Sequence, residues 1–266
     1  MGDGASDVII EDSTFSGNFV EGESLAFAGA IFISGSGTNL EIARCTFNNN
    51  RAVTGNGGAA LGGAIANLAS GITVTVTNST FSGNSALCGN DGIGAGGAIS
   101  FNYNESGGES SLVLNNDTFS GNSASCGSNC TAAGDTVAVD NNPRVKLYSS
   151  VITYDSGNGN CGAVKWPFNI TSLGYNITDD HTCINGSVTG DRLDTDPRLD
   201  PAGLKDNGGP TETIAISKSS ATFDTGDPVC PPPPSTDQRG IKRPQAAACD
   251  VGAYELILRN IPALGE

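Results

Sequence analysis

Apolar residues in the first half of the chain return in a fixed frame. Val8 and Ile10, Leu40 and Ile42, Val74 and Val76, and Leu112 and Leu114 stand seven and five places before Phe15, Phe47, Phe81 and Phe119. Their spacing has a period of two, which describes a short strand with one buried face, clearest in Ile72-Thr-Val-Thr-Val-Thr77. Each Phe belongs to a returning string: SerThrPheSerGlyAsn at 13–18 and 79–84, CysThrPheAsnAsnAsn at 45–50, and AspThrPheSerGlyAsn at 117–122. Three places after each ring comes Asn18, Asn50, Asn84 or Asn122. The rings are 32, 34 and 38 residues apart, inside the range of roughly 20 to 50 that marks stacked repeats.

A second string, GlyAlaIle at 29–31 and GlyGlyAlaIle at 62–65 and 96–99, loosens to AspThrVal at 135–137 and opens another strand at Ile31, Ile65, Ile99 and Val137. The glycines before it permit a sharp corner. Each period thus predicts about three short strands and no helix. A degraded fifth copy places Val145 and Leu147 in the strand, Ile152 at the Phe position and Asp155 at the Asn position. One rung cannot bury its inward face alone. Stacked about 4.8 Å apart, the rungs form an all-β solenoid, a parallel β-helix of about five rungs. Inside it Phe15, Phe47, Phe81 and Phe119 make a ring ladder, and Asn18, Asn50, Asn84 and Asn122 bond along the stack through their amides. We expect one continuous domain, with repeat rungs in 1–171 and a continuation and cap in 172–266. The first rung shows no cap before Val8 and would leave strand edges unpaired, which favours end-to-end self-association. Segments 85–95, 123–134 and 102–111 are expected as exterior loops, where recognition would reside.

Composition agrees with strands and turns: 37 of 266 residues are Gly and only 15% are charged. A formal net charge of -15 argues against nucleic acid or an anionic membrane surface as partner, since both need clustered Lys and Arg. No apolar stretch approaches the roughly 20 residues of a membrane span. The start, Met-Gly-Asp-Gly-Ala-Ser, has no basic and apolar leader, so a signal peptide is absent or removed and the chain reads as part of something longer. Eight cysteines lack the paired short spacings of a zinc ribbon and read as disulfide formers, hence a secreted or cell-surface protein. Cys88 and Cys126 both lie seven residues after their Phe, one strand spacing apart on adjacent rungs, and are expected to be bonded. Cys45 is either a buried thiol or the partner of Cys130. Seven sequons, at Asn78, Asn104, Asn116, Asn129, Asn169, Asn176 and Asn185, fit an exported glycoprotein if the source is eukaryotic.

From about 172 the period gives way to SerLeuGlyTyrAsnIle at 172–177, GlyAspArgLeuAspThrAspProArgLeu at 190–199 and AspAsnGlyGlyProThrGluThr at 206–213. AspThrGly at 224–226, AspGlnArgGlyIleLysArgPro at 237–244 and CysAspValGlyAlaTyrGlu at 249–255 follow. This region resembles the carboxy-terminal part of the choice-of-anchor Q surface proteins, and the upstream GlyGlyAlaIle and Phe-x-x-Asn strings resemble repeats of chlamydial polymorphic outer membrane proteins. The resemblance implies a right-handed parallel β-helix of the pectin-lyase-like class, exported and displayed at a surface, without a defined reaction. It also implies a Cys230–Cys249 bond clamping Pro231 to Pro234, and a Cys161–Cys183 bond. The chain departs from the family's SerProAlaIleAspAla run, carrying Ser219-Ser-Ala-Thr-Phe-Asp224, and shows no anchoring segment before Glu266.

Catalysis is poorly supplied. An eliminase needs cations or Ca²⁺ for the substrate carboxylate and a base for its α-proton, yet no Lys or Arg lies between Arg51 and Arg144. A glycoside hydrolase needs two carboxylates at a set separation, and Glu41, Asp91, Glu105, Glu109, Asp117 and Asp135 are scattered. Asp191, Asp194, Asp196 and Asp200 could wrap a structural Ca²⁺ but lack EF-hand spacing, and Asp before Pro more often marks a turn. His181 sits beside Asp179 and Asp180 with no nucleophile in a triad context, and reads as a solvated loop residue. Arg239, Lys242 and Arg243, near Asp224, Asp227, Asp237 and Asp250, read as structural ion pairs. A flat Thr array for ice is confined to one rung, at Thr73, Thr75 and Thr77. The sequence therefore reads as a non-catalytic display scaffold without cofactor, meeting surface glycans or proteins; the alternative is a polysaccharide-binding or polysaccharide-cleaving protein. An enzyme should show a groove with clustered carboxylates or Tyr, and a display scaffold smooth polar faces.

Overall fold

The computed structural model describes residues 6–35, 37–102, 108–140, 144–154, 157–165, 168–186, 188–230 and 235–258. Among them all regular structure is β, and each strand of the coil pairs in parallel with the strand one repeat away. One face stacks Ser6–Glu11, Thr38–Ala43, Thr73–Thr77, Ser111–Asn115, Arg144–Tyr148 and Ile170–Ser172. Its register sets Val8, Leu40, Val74, Leu112 and Val145 in one inward column. A second face carries Thr14–Ser16, Thr46–Asn48, Thr80–Ser82 and the start of Thr118–Cys126. A third carries Ile31–Ile33, Ile65–Asn67, Ile99–Asn102, Val137–Asp140 and Cys161–Gly162. Between these three lies the main core, from Ile33 and Leu40 to Ile170 and Ile184.

The phenylalanines stack face to face along the axis. Centroids are 4.8 Å apart for Phe15 and Phe47, 4.6 Å for Phe47 and Phe81, and 4.8 Å for Phe81 and Phe119. Strand spacing dictates this separation, and each fully buried ring contributes roughly 1.5–3 kcal/mol. Just outside the rings, Asn50 donates its amide to Asn84 Oδ1 at 2.9 Å and its backbone N–H to the same atom at 3.0 Å. Asn84 repeats both bonds to Asn122, and Asn18 to Asn50. The residue before each ladder Asn takes a left-handed backbone, at Gly17, Asn49, Gly83 and Gly121. Gly and Asn are the residues that tolerate it, which is why AsnAsnAsn at 48–50 can replace SerGlyAsn.

A turn contains more strands than the three expected. The second one runs through Thr38–Ala43, Thr46–Asn48, Arg51–Thr54, Ala59–Leu61 and Ile65–Asn67. The extra pair doubles back on itself, so segments 85–95 and 123–134, expected as loops, contain Ser85–Cys88 and Ile93–Ala95, the end of Thr118–Cys126, and Thr131–Ala133. These strands build a thin lobe beside the main tube, filled by Ala26, Ala52, Ala60, Ala86 and Cys88 with Val20 and Cys126. Alanine carries almost no hydrophobic signal, and the two sheets come so close that a Cβ on Gly94 would stand 2.7 Å from the Ser125 carbonyl oxygen. Residues 103–107 of segment 102–111, which include Glu105, fall outside the described residues, as does Asp155.

Part of the carboxy-terminal region runs back along the outside of the second face as a strap. Gln238 has no exposure; its amide nitrogen donates to the Thr46 hydroxyl and the Cys45 carbonyl, and its amide oxygen accepts from Thr80 Oγ1 at 2.6 Å. Asn78 donates to the Thr236 carbonyl, and the Ala253 N–H donates to Thr118 Oγ1. Outward-facing Thr46, Thr80 and Thr118 are therefore buried, while Thr14, in the first turn, is exposed.

Three disulfides are present. Cys161–Cys183 and Cys230–Cys249 have Cα separations of 4.8 and 5.7 Å; Pro231 to Pro234 lie outside the described residues. The third differs from expectation: Cys126 is bonded to Cys130, and Cys88 is a thiol. Cys88 and Cys126 are in register as anticipated, but a turn of three residues brings Cys130 equally within reach. Cys45 is a fully buried thiol that donates to the carbonyls of Ala43 and Ile10.

Candidate functional site

The seam between lobe and tube forms a groove. At Gly62–Gly63 and Gly96–Gly97 the chain turns from the lobe strands into the third face. Val137 and Val139 point into the main core, so Ala138 faces outward, where it packs with Ala95, Ala133, Leu61, Ile93 and Val164. The resulting exterior groove, about 430 Å³, is lined by Ala59, Leu61, Leu68, Ile93, Asn102, Asp140, Val164 and Lys165. One rung towards the amino terminus, Phe27 and Phe32 stand in register with Leu61 and Ala66 and stack at 5.2 Å, with Phe32 45% exposed.

Polar groups enter this apolar wall at one place. Asn102 and Asp140 are register partners on adjacent rungs. Asn102 Oδ1 is buried and finds no hydrogen-bond donor among the described residues. Asp140 Oδ1 accepts the backbone N–H groups of Val164 and Lys165 at 3.1 and 3.2 Å. Burial pushes the Asp140 carboxyl above the usual carboxylate range despite those bonds and the Lys165 charge. The pair thus offers acceptors to a ligand's donors, over a floor that suits apolar ring faces or aliphatic carbon. One carboxylate lines the groove, so the two-carboxylate geometry of glycoside hydrolysis is not assembled there.

The other carboxylates singled out from the sequence are dispersed. Asp117, fully buried, accepts the N–H groups of Ser79 and Asn115, and desolvation raises its carboxyl well above normal. Asp135 holds the Ala124 N–H and Asn158 at a different corner. Glu109 pairs with Arg144 at 2.7 Å on the surface, and Glu41 and Asp91 are exposed. Asp191 is occupied by Ser172, Asn176 and the Val188 N–H; Asp194 by His181; Asp196 by the Arg198 N–H; Asp200 by Lys205. Among the described residues no three His, Cys, Asp or Glu side chains are grouped to hold a metal ion. His181 is exposed, and its bond to Asp194 raises its pKa.

Of the basic cluster, Arg239 and Arg243 make the structural ion pairs expected of it, while Lys242 is exposed. Arg239 pairs with Asp237 at 2.6 Å and lies over the Tyr254 ring, and Arg243 pairs with Glu255 at 3.0 Å in full burial. Arg243 also donates to the Asp250 and Gly252 carbonyls, tying the strap to itself. Asn78, Asn116 and Asn176 are buried with their amides engaged, which leaves no room for a glycan. Asn129, Asn169 and Asn185 are exposed, and Asn104 lies outside the described residues. Sequence reasoning missed the groove, whose lining comes from rungs far apart in the chain; the residue types Leu61, Ile93, Asn102 and Asp140 carried no motif. No protein-family model, curated protein or solved structure matches the chain.

Proposed function

We propose that this protein is an exported, non-catalytic β-solenoid scaffold whose exterior groove binds a neutral glycan. The observation that carries the reading is the stacked acceptor pair, Asn102 and Asp140, set in a groove whose other lining residues are apolar except for Lys165. Sugar hydroxyls donate to such acceptors while the apolar faces of pyranose rings pack on Leu61, Ile93 and Val164. A net charge of -15 disfavours a polyanionic chain. Three disulfides favour an oxidising, extracellular setting. In the same reading the coil is right-handed, the sense of nearly all parallel crossovers, and of the pectin-lyase-like class that the choice-of-anchor Q resemblance implies. Where the source is eukaryotic, Asn129, Asn169 and Asn185 are the sequons that accept glycans.

Calorimetric titration with neutral polysaccharides (glucans, xylans, mannans) and with polygalacturonate tests the proposal. At least one neutral polymer is expected to bind, with affinity falling at least tenfold in Asn102→Leu and Leu61→Arg. Preference for the acidic polymer, or binding unchanged in both variants, overturns the glycan assignment. Release of new reducing ends that is lost in Asp140→Asn would instead establish a cleaving enzyme.

A further inference from the structure

The lobe holds a thiol beside a disulfide. Ser85–Cys88 and Thr118–Cys126 are adjacent parallel strands, and their register pairs Cys88 with Cys126. Both side chains enter the alanine-filled interior of the lobe. In-register strands lie about 4.8 Å apart, within the roughly 4.4–6.8 Å that a disulfide spans. Cys126 is already bonded to Cys130, with Cα atoms 6.2 Å apart, while Cys88 is unbonded. One sulfur, that of Cys126, therefore has two sterically suitable partners. The other buried thiol has no such neighbour: the rungs flanking Cys45 place Ser13 and Ser79 at its position.

We propose that Cys88, Cys126 and Cys130 form an intramolecular thiol–disulfide exchange site that exposes a reactive thiol at Cys130. The Cys88 sulfur attacks that of Cys126, the Cys126–Cys130 bond breaks and a Cys88–Cys126 bond forms. Cys130 leaves as a thiolate and takes up the proton that Cys88 released. Two electrons stay within the three sulfurs, and no outside oxidant or reductant is consumed. Cys130 follows Gly127, Ser128 and Asn129, all exposed, so the released thiol appears at the tip of the lobe. There it can attack a small disulfide such as oxidised glutathione, forming a mixed disulfide and releasing the second half as a thiol. Burial raises the Cys88 thiol pKa, which makes the attacking thiolate scarce at neutral pH and the exchange faster as pH rises.

Non-reducing peptide mapping by mass spectrometry, on full-length protein held at pH 7 and pH 8.5, quenched in acid and alkylated, tests the proposal. Both linkages are expected, Cys126–Cys130 and Cys88–Cys126, with alkylated Cys130 rising in step with the second and reached sooner at pH 8.5. Oxidised glutathione is expected to label Cys130 and spare Cys45, and labelling should fall at least tenfold in Cys88→Ser. A single linkage at both pH values, or undiminished Cys130 labelling in Cys88→Ser, overturns it. The wild-type mapping decides the matter even if the variant fails to fold.

Discussion

Asn84 joins three rungs. Its Oδ1 accepts two N–H groups of Asn50, and its Nδ2 donates to the Phe47 carbonyl and to Asn122 Oδ1. Asn84→Ala strands the buried Asn50 backbone N–H, which in a dry interior costs the desolvation of that group as well as the lost bonds. We expect a loss of about 2–4 kcal/mol in urea unfolding, against under about 1 kcal/mol for Asn18→Ala, whose residue is exposed at the first turn. The ladder residues were legible because Phe and Asn repeat as identities. The lobe interior was not, because its filler is chiefly Ala, whose recurrence at Ala52 and Ala86 carries little hydrophobic signal, and only the cysteines at 88 and 126 stood out at a repeated position.

The paired glycines of the corner have different tasks. Gly62 and Gly96 bend the chain with φ of 70° and 67°, the conformational freedom that the sequence assigned to the corner. Gly63 and Gly97 are needed for space: a Cβ on Gly63 would collide with the Gly97 carbonyl oxygen and the Ser85 backbone nitrogen, and one on Gly97 with the matching atoms of Asp135 and Ser123. Those atoms belong to hydrogen-bonded neighbouring rungs and cannot withdraw. Gly63→Ala and Gly97→Ala are expected to destabilise by more than about 4 kcal/mol or to prevent folding, whereas Gly35→Ala, which meets open space, should stay within about 0.5 kcal/mol. Circular dichroism with thermal melting distinguishes these outcomes. The strap, likewise an element-scale feature, was visible in the sequence as text without period; its docking on Thr46 and Thr80 through Gln238, and on Thr118 through the Ala253 N–H, follows only from the coil having turned those threonines into one outward column.

Across the whole molecule, buried acids and a surplus of negative charge act in the same direction. Burial raises the carboxyls of Asp117, Asp250 and Glu255, that of Asp250 to about 7. Each binds a proton more readily folded than unfolded, where carboxyl pKa values are about 4. Their stabilisation is thus complete below about pH 4 and is lost as pH rises, through about 7 for Asp250. Asp12, held low by its bond to Arg44, opposes this but is largely solvated. Melting temperature is therefore expected to rise between pH 8 and pH 5 in scanning calorimetry, and the rise should shrink in Asp250→Asn. The sequence by itself determined the stacked β architecture, its inward columns and its Phe and Asn ladders, because parallel in-register stacking turns a repeat in the chain into a line in space. Only the tertiary structure decided the lobe, the strap, the partner of Cys126 and the groove, because each depends on side chains from different rungs or from chain segments without a period, whose meeting is set by how the coil bends at its corners.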